Sequence, residues 1–155
     1  MIKIITVGNL KEKYLKDAID EYKKRISRYT NIEIIEVNDE GHVEQEKAIK
    51  IEGQKILKYI SYKDYLITLE IEGKQLSSEE FAKKIDNILI ENSNITFVIG
   101  GSYGLSDEIK QKSNLHLSFS KMTFPHQLFR VLLLEQIYRS YKINNNESYH
   151  KQEDA

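Results

Sequence analysis

The chain has 155 residues, of which 40% are apolar and 30% charged, and its formal net charge is −1. This length and composition are typical of one folded domain with a hydrophobic core, which we expect over residues 1–155. A near-neutral chain argues against a basic surface that binds nucleic acid by bulk electrostatics. Cysteine is absent and the four histidines show no metal-ligand spacing. No apolar run reaches the ~20 residues that span a bilayer, so we expect a cytoplasmic protein without metal.

The predicted elements alternate between strand and helix. In chain order they are strand 2–7, helix 11–28, strand 32–37, helix 43–60, strand 65–71, helix 77–91, strand 95–99, a short helix capped by Ser106, strand 115–118 and a helix from near Pro125 to about 143. A turn at residues 72–74 is expected to close the third strand, and Ser77 with Glu80 predicts a capping box. Strands separated by helices indicate an α/β fold, with a largely parallel sheet covered by helices on both faces.

The last predicted helix is apolar on nearly all sides. Its apolar residues are Leu128, Phe129, Val131, Leu132, Leu133, Leu134, Ile137, Tyr138 and Tyr141. A helix that is apolar all round must be buried all round. In so small a domain this favours a symmetric contact between two copies, so we expect a homodimer.

A glycine-rich segment, Gly100-Gly101-Ser102-Tyr103-Gly104, follows the fourth predicted strand. It matches the G-x-S-x-G pattern of a serine hydrolase, with Ser102 as nucleophile and Asp107 and His116 or His126 after it. In that class of enzyme the serine leads directly into a helix, whereas here a separate capping serine comes later. The dinucleotide and P-loop patterns both fail, because the loop lacks the third glycine of G-x-G-x-x-G and the chain contains no G-x-x-x-x-G-K-[ST] run.

A second unusual segment, residues 118–124, precedes the only proline and also follows a predicted strand. Open parallel sheets bind ligands at the carboxyl ends of their strands, so we expect residues 100–104, 118–124 and Leu69 to line one pocket. Backbone groups of the two loops would bind an adenine, with Leu69, Met122 and Phe124 around its ring. The alternative is that Met122 and Phe124 are only core residues.

These segments carry a resemblance to a known family. The matching motifs are Ile99-Gly100-Gly101-Ser102, Gly104-Leu105, the run from Leu117 to His126, Arg130, Glu135-Gln136-Ile137-Tyr138-Arg139 and Tyr149-His150-Lys151, together with Val7-Gly8-Asn9-Leu10-Lys11, Glu52-Gly53-Gln54 and Leu69-Glu70-Ile71-Glu72-Gly73-Lys74. Over its whole length the chain resembles the ribosomal RNA large subunit methyltransferase H family, pseudouridine N3-methyltransferases of the SPOUT class.

The resemblance implies a C-terminal trefoil knot, a homodimer and S-adenosylmethionine as the cofactor. The implied substrate is a pseudouridine in a hairpin loop of 23S ribosomal RNA, recognised within the assembled ribosome. Carried over residue by residue, the expected cofactor-binding residues are Leu69, Gly100, Phe119, Ser120, Lys121, Met122, Thr123 and Phe124.

Four further residues are candidates for proton transfer or RNA binding: His126, Arg130, Tyr149 and His150. N3 of pseudouridine must lose a proton before it attacks, and a neutral histidine can accept that proton. We predict that Tyr149 and His150 of one subunit complete the site beside the cofactor of the other. In the structural alternatives His126 only starts its helix and Arg130 pairs with a carboxylate. A competing function on the same scaffold is a ribosome-binding factor without catalytic activity.

Overall fold

The structure, a computed structural model, describes residues 1–149. Within them ten elements alternate: β1 Ile2–Val7, α1 Lys13–Ile26, β2 Ile32–Val37, α2 Gln45–Leu57, β3 Tyr65–Gln75, α3 Ser78–Glu91, β4 Ile95–Ile99, α4 Asp107–Lys112, β5 Leu115–Ser118 and α5 His126–Asn144. The five strands form one sheet in the order β2-β1-β4-β3-β5, and each pairing is parallel. The predicted α/β fold class is confirmed.

Helices cover both faces of the sheet because successive strand residues point to opposite sides. On one face Ile4 and Phe97 are buried under α1, α3 and α5. On the other, Ile5 and Val98 are buried with Ile56 of α2. Full burial of one such side chain stabilises the fold by about 1.5–3 kcal/mol, so these two layers are its main source of stability.

The starts of two helices follow from their capping residues. The hydroxyl of Ser77 accepts a hydrogen bond from the backbone N–H of Glu80 at 3.1 Å, and the Glu80 carboxylate accepts from the Ser77 N–H at 2.8 Å. The hydroxyl of Ser106 accepts from the N–H of Ile109 at 3.3 Å. Both predicted caps are therefore confirmed. The last helix begins directly after Pro125, whose ψ of 136° is extended rather than helical.

Strand β3 is longer than the sequence predicts. The expected turn at residues 72–74 does not end it, because the strand continues to Gln75 and pairs again with β5. Leu117 of β5 is paired with both Leu69 and Lys74, and the residues between those two bulge out of the register. The predicted turn is wrong because pairing with a strand distant in sequence outweighs the local turn preference.

Gly73 lies where β5 pairs with the end of β3. A Cβ atom at this position would lie 2.8 Å from the backbone carbonyl carbon and oxygen of His116. Since backbone cannot move aside as a flexible side chain does, only glycine permits this close passage. After β5 the chain continues into α5, which packs against α1 and α3.

Helix α5 lies between α1 and α3 on one face of the sheet. Its buried residues are Arg130, Leu133, Leu134, Ile137, Tyr138 and Ser140. Leu128, by contrast, keeps 40% of its surface exposed. The chain itself thus covers most of the apolar surface that suggested self-association, and the homodimer stays a prediction.

Candidate functional site

A cavity of about 520 Å³ lies at the carboxyl ends of β3, β4 and β5. It is lined by residues 69–72, by most of the segment 99–105 and by parts of the segment 117–129. Ligand pockets generally measure about 300–1,000 Å³ and are mostly apolar with a few polar groups. Both the size and the position fit the binding site expected of an open parallel sheet.

Seven of the predicted cofactor-binding residues line this cavity: Leu69, Gly100, Phe119, Ser120, Met122, Thr123 and Phe124. The eighth, Lys121, is exposed and is not among the lining residues. Met122 has 75% of its surface exposed, which excludes the alternative that it is a core residue. The structure therefore brings together nearly all of the set that the resemblance implied, and their contact with a cofactor stays a prediction.

The glycine segment forms a tight turn at the edge of the cavity. The N–H of Gly104 donates to the carbonyl of Gly101 at 3.1 Å, which closes the turn. Gly104 has a φ of +87°, in the left-handed region that favours glycine, and a Cβ atom there would meet nothing within 4 Å. Because glycine has no side chain, the backbone groups of this turn are accessible from the cavity. Binding of an adenine by this turn stays a prediction.

One wall of the cavity is aromatic. The ring of Phe129 stacks on that of Phe124 with centroids 6.0 Å apart, and it meets Phe119 edge to face at 4.9 Å. Phe129 is predicted from the sequence as part of the apolar last helix, but not as a residue of the site. It stands three residues after His126 on α5, and this spacing places both on one side of the helix. That spacing was the signal that could have identified it.

Charged side chains also line the cavity, and they were not among the site residues predicted from the sequence. Glu70 and Lys110 both line it. The Glu70 carboxylate also binds Nδ1 of His116, and the Thr68 hydroxyl donates to the same carboxylate at 2.7 Å. No local pattern could reveal these contacts, because they depend on the pairing of β3 with β5.

The serine hydrolase geometry is not present. Ser102 lies in the exposed turn of the glycine segment, and the next helix starts only at Asp107, after its own cap. His116, one of the two candidate bases, is bound to Glu70 at the edge of the sheet. A nucleophile elbow requires a serine that leads directly from strand to helix.

His126 is the first residue of α5, is exposed and lines the cavity. It therefore stands beside the predicted cofactor-binding residues with its imidazole accessible. This placement is compatible with proton transfer, which stays a prediction. His150 lies outside the described residues.

Tyr149 lies against α5 of its own chain. Its hydroxyl donates to the Glu135 carboxylate at 2.9 Å, and its ring meets that of Tyr138 edge to face at 5.1 Å. Glu135 is nine residues beyond His126, about 13 Å along the helix, so Tyr149 does not reach the cavity of its own subunit. Burial, with the hydrogen bond and charge of Glu135, raises the pKa of the Tyr149 hydroxyl. This group is therefore a hydrogen-bond donor rather than a base.

Arg130 is buried, and its guanidinium group connects α5 to the ends of two strands. Its side chain is 4% exposed and forms an ion pair with Glu36, which is 36% exposed. It also donates to the backbone carbonyl of Gly8 at 2.8 Å. Arg130 does not line the cavity. The structure thus gives it a stabilising contact, and its role in catalysis stays a prediction.

Replacing Arg130 with alanine is expected to lower the free energy of unfolding by about 2 kcal/mol, because the half-exposed Glu36 carboxylate and the half-buried carbonyl of Gly8 both lose a hydrogen bond from a buried guanidinium group. Chemical denaturation measures this change. The control is Lys13→Ala, which breaks an ion pair with Asp17 whose side chains are 88% and 61% exposed. Such an exposed pair contributes no more than about 1 kcal/mol. Equal effects of the two substitutions would contradict the stabilising role.

Two further findings limit the kinds of site. Within residues 1–149 no three acidic, histidine or cysteine side chains form a group that could hold a metal ion. None of the helices described there is both long and apolar enough to cross a membrane.

A family described as predicted SPOUT methyltransferase matches residues 1–150. The chain belongs to this family. A protein of Methanococcus maripaludis strain C5, named putative ribosomal RNA large subunit methyltransferase H, is 57% identical over 97% of this chain and 99% of its own.

Two bacterial relatives carry the name ribosomal RNA large subunit methyltransferase H. The protein of Clostridium botulinum strain Alaska E43 is 57% identical, and that of Clostridioides difficile strain 630 is 54% identical. Each alignment covers 97% of this chain and 99% of the relative. The resemblance inferred from the motifs is confirmed, and the family implies a knot in this α/β fold.

Proposed function

We propose that this protein is an S-adenosylmethionine-dependent methyltransferase that methylates N3 of a pseudouridine in a hairpin loop of 23S ribosomal RNA. The observation that carries the proposal is the cavity between the glycine segment and residues 118–124, at the carboxyl edge of a parallel sheet. Membership of the SPOUT methyltransferase family supports the reaction type. The names of the relatives support ribosomal RNA as the substrate.

The cofactor-binding residues need mainly to position two reactants. When bound, S-adenosylmethionine supplies an electrophilic methyl group on a sulfonium centre. Leu69, Met122 and Phe124 offer an apolar wall for its purine, and the backbone of residues 100–104 offers hydrogen-bonding groups beside it. Holding two reactants in line contributes most of the rate enhancement in a reaction of this kind.

A base is needed at the open side of the cavity, because N3 of pseudouridine carries a proton. His126 stands there at the start of α5, and a neutral imidazole accepts a proton near physiological pH. Tyr149 and His150 of a second subunit are proposed to complete the site on the RNA side. In that arrangement the Tyr149 hydroxyl keeps its hydrogen bond to Glu135 of its own chain, and its oxygen accepts a hydrogen bond from the RNA.

A homodimer is part of the proposal. Tyr14 on α1 and Leu128 on α5 are 69% and 40% exposed. The Gln127 side chain of α5 accepts from the N–H of Lys11 at 3.2 Å and donates to the carbonyl of Asn9 at 3.3 Å, which holds the segment before α1 against the start of α5. A second copy of the chain would cover the Tyr14 and Leu128 side chains and bring its own C-terminal residues close to the cavity.

Two measurements test the proposed function. Calorimetry with S-adenosylhomocysteine is expected to give binding in the micromolar range. Labelled S-adenosylmethionine is expected to methylate ribosomes that lack the modification and to methylate naked 23S RNA poorly, because a near-neutral chain has little electrostatic affinity for free RNA. Absence of binding would favour the ribosome-binding factor without activity. Equal rates on both substrates would contradict recognition of the assembled ribosome.

A further inference from the structure

Three consecutive residues of α2, Glu52-Gly53-Gln54, pack behind the glycine segment and the start of α4. A Cβ atom on Gly53 would lie 2.6 Å from the Ser106 hydroxyl oxygen, so a larger residue would push α2 away. The Gln54 side chain donates to the Glu108 carboxylate at 2.9 Å. These contacts hold α2 firmly against the segment that lines the cavity.

The carboxyl group of Glu52 lies directly behind the glycine segment. The residue is 3% exposed, and its Oε2 accepts from the N–H of Glu40 at 2.9 Å. Its Oε1 is buried and has no hydrogen-bond partner within residues 1–149. A Cβ atom on Gly101 would lie 3.3 Å from this Oε1. The oxygen without a partner therefore faces the backbone of a residue that lines the cavity.

A buried polar atom without a partner is unfavourable, so its presence in a folded protein requires an explanation. An ion pair does not provide one, because Lys55 on the next turn of α2 binds Glu40 instead. Burial raises the pKa of the Glu52 carboxyl, and the nearby charges of Asp39 and Glu40 raise it further. In its protonated form a carboxyl group has an O–H donor to offer.

We propose that Glu52 is a positioning residue whose Oε1 donates a hydrogen bond to a backbone carbonyl of the glycine segment when a ligand fills the cavity. This bond holds Gly100 and Gly101 in the conformation that binds the cofactor. Glu52 does not itself line the cavity, so it acts through the glycine segment. The inference rests on the proposed function, because it requires an adenosine-containing ligand in the cavity.

The test compares two substitutions of Glu52 with a control on the same helix. Glu52→Gln keeps one acceptor and gains an N–H donor, so it reproduces the neutral carboxyl group. Glu52→Met fills the same space without any hydrogen bond. Glu46→Met changes an exposed residue of α2 and is the control. Calorimetry gives the dissociation constant of S-adenosylhomocysteine for each protein, and thermal unfolding shows that each is folded.

We expect Glu52→Met to weaken binding about tenfold, Glu52→Gln to stay within about threefold of the unchanged protein, and the control to bind normally. The melting temperature of Glu52→Met is expected to fall by a few degrees while the protein stays folded, because the N–H of Glu40 loses its acceptor. Normal binding by a folded Glu52→Met protein, or equal weakening by both substitutions, would overturn the inference. Failure of the unchanged protein to bind would instead refute the proposed function.

Discussion

Gly100→Ala is expected to weaken binding of S-adenosylhomocysteine severely, with a dissociation constant raised about 100-fold. A Cβ atom at position 100 would lie 2.8 Å from the carbonyl carbon of Gly104, 2.9 Å from its oxygen and 3.0 Å from a methyl group of Leu105. Backbone atoms cannot move aside without opening the turn that forms the cradle. Forcing such an overlap costs typically about 1–3 kcal/mol and displaces the neighbouring groups. Calorimetry on the folded variant measures the loss.

The matched control is Gly41→Ala. Its Cβ atom would lie 3.1 Å from a carboxylate oxygen of Asp39, which belongs to a side chain that can rotate away. This variant should bind S-adenosylhomocysteine with almost unchanged affinity. If Gly100→Ala bound equally well, the glycine segment would not be the cradle of the cofactor.

Removal of residues 149–155 is expected to reduce methylation of ribosomes at least about 100-fold, because groups that position or deprotonate the substrate are lost. The affinity for the cofactor is expected to stay within about twofold. Tyr149 and His150 are lost, whereas the cavity-lining residues remain. The cut leaves Glu147 in place, which accepts from the Tyr29 hydroxyl at 2.7 Å and from Lys142 at 2.9 Å. Full activity of the shortened protein would dismiss a role for these residues.

A mixture of the two inactive variants tests whether the C-terminal residues act on the partner subunit. A dimer of one Gly100→Ala chain and one shortened chain has a single complete site, made from the cavity of the shortened chain and the C-terminal residues of the other. Random exchange makes half of the dimers mixed, so activity should recover to about a quarter of that of the unchanged protein. No recovery after verified exchange would contradict sharing of the site between subunits.

Much of the fold could be predicted because its signals are local. Apolar runs such as Ile95–Ile99 identify buried strands, and Ser77 with Glu80 identifies a helix start. The site could be predicted in outline for a similar reason. The small residues at 100–104 and the mixed segment at 118–124 both follow strands, and the carboxyl ends of parallel strands meet at one edge.

The remaining features depend on contacts between distant parts of the chain. Arg130 and Glu36 are separated by 94 positions, and nothing near either residue identifies the other as its partner. The true end of β3 could not be predicted, because Gln75 is held in the strand by Ser118 of β5. The knot came from the family resemblance alone, since most connections between strands are unknotted.

The close passage of β5 over Gly73 has a consequence for how the protein matures. The cavity is built from residues 69–72, 99–105 and 117–129. These segments meet only when the C-terminal part of the chain, which forms the knot that the family implies, is in place. A collapsed chain that has formed its helices without threading has no place for the ligand. Ligand capture during refolding therefore reports the completed topology, and adding ligand early selects the threaded molecules as they appear.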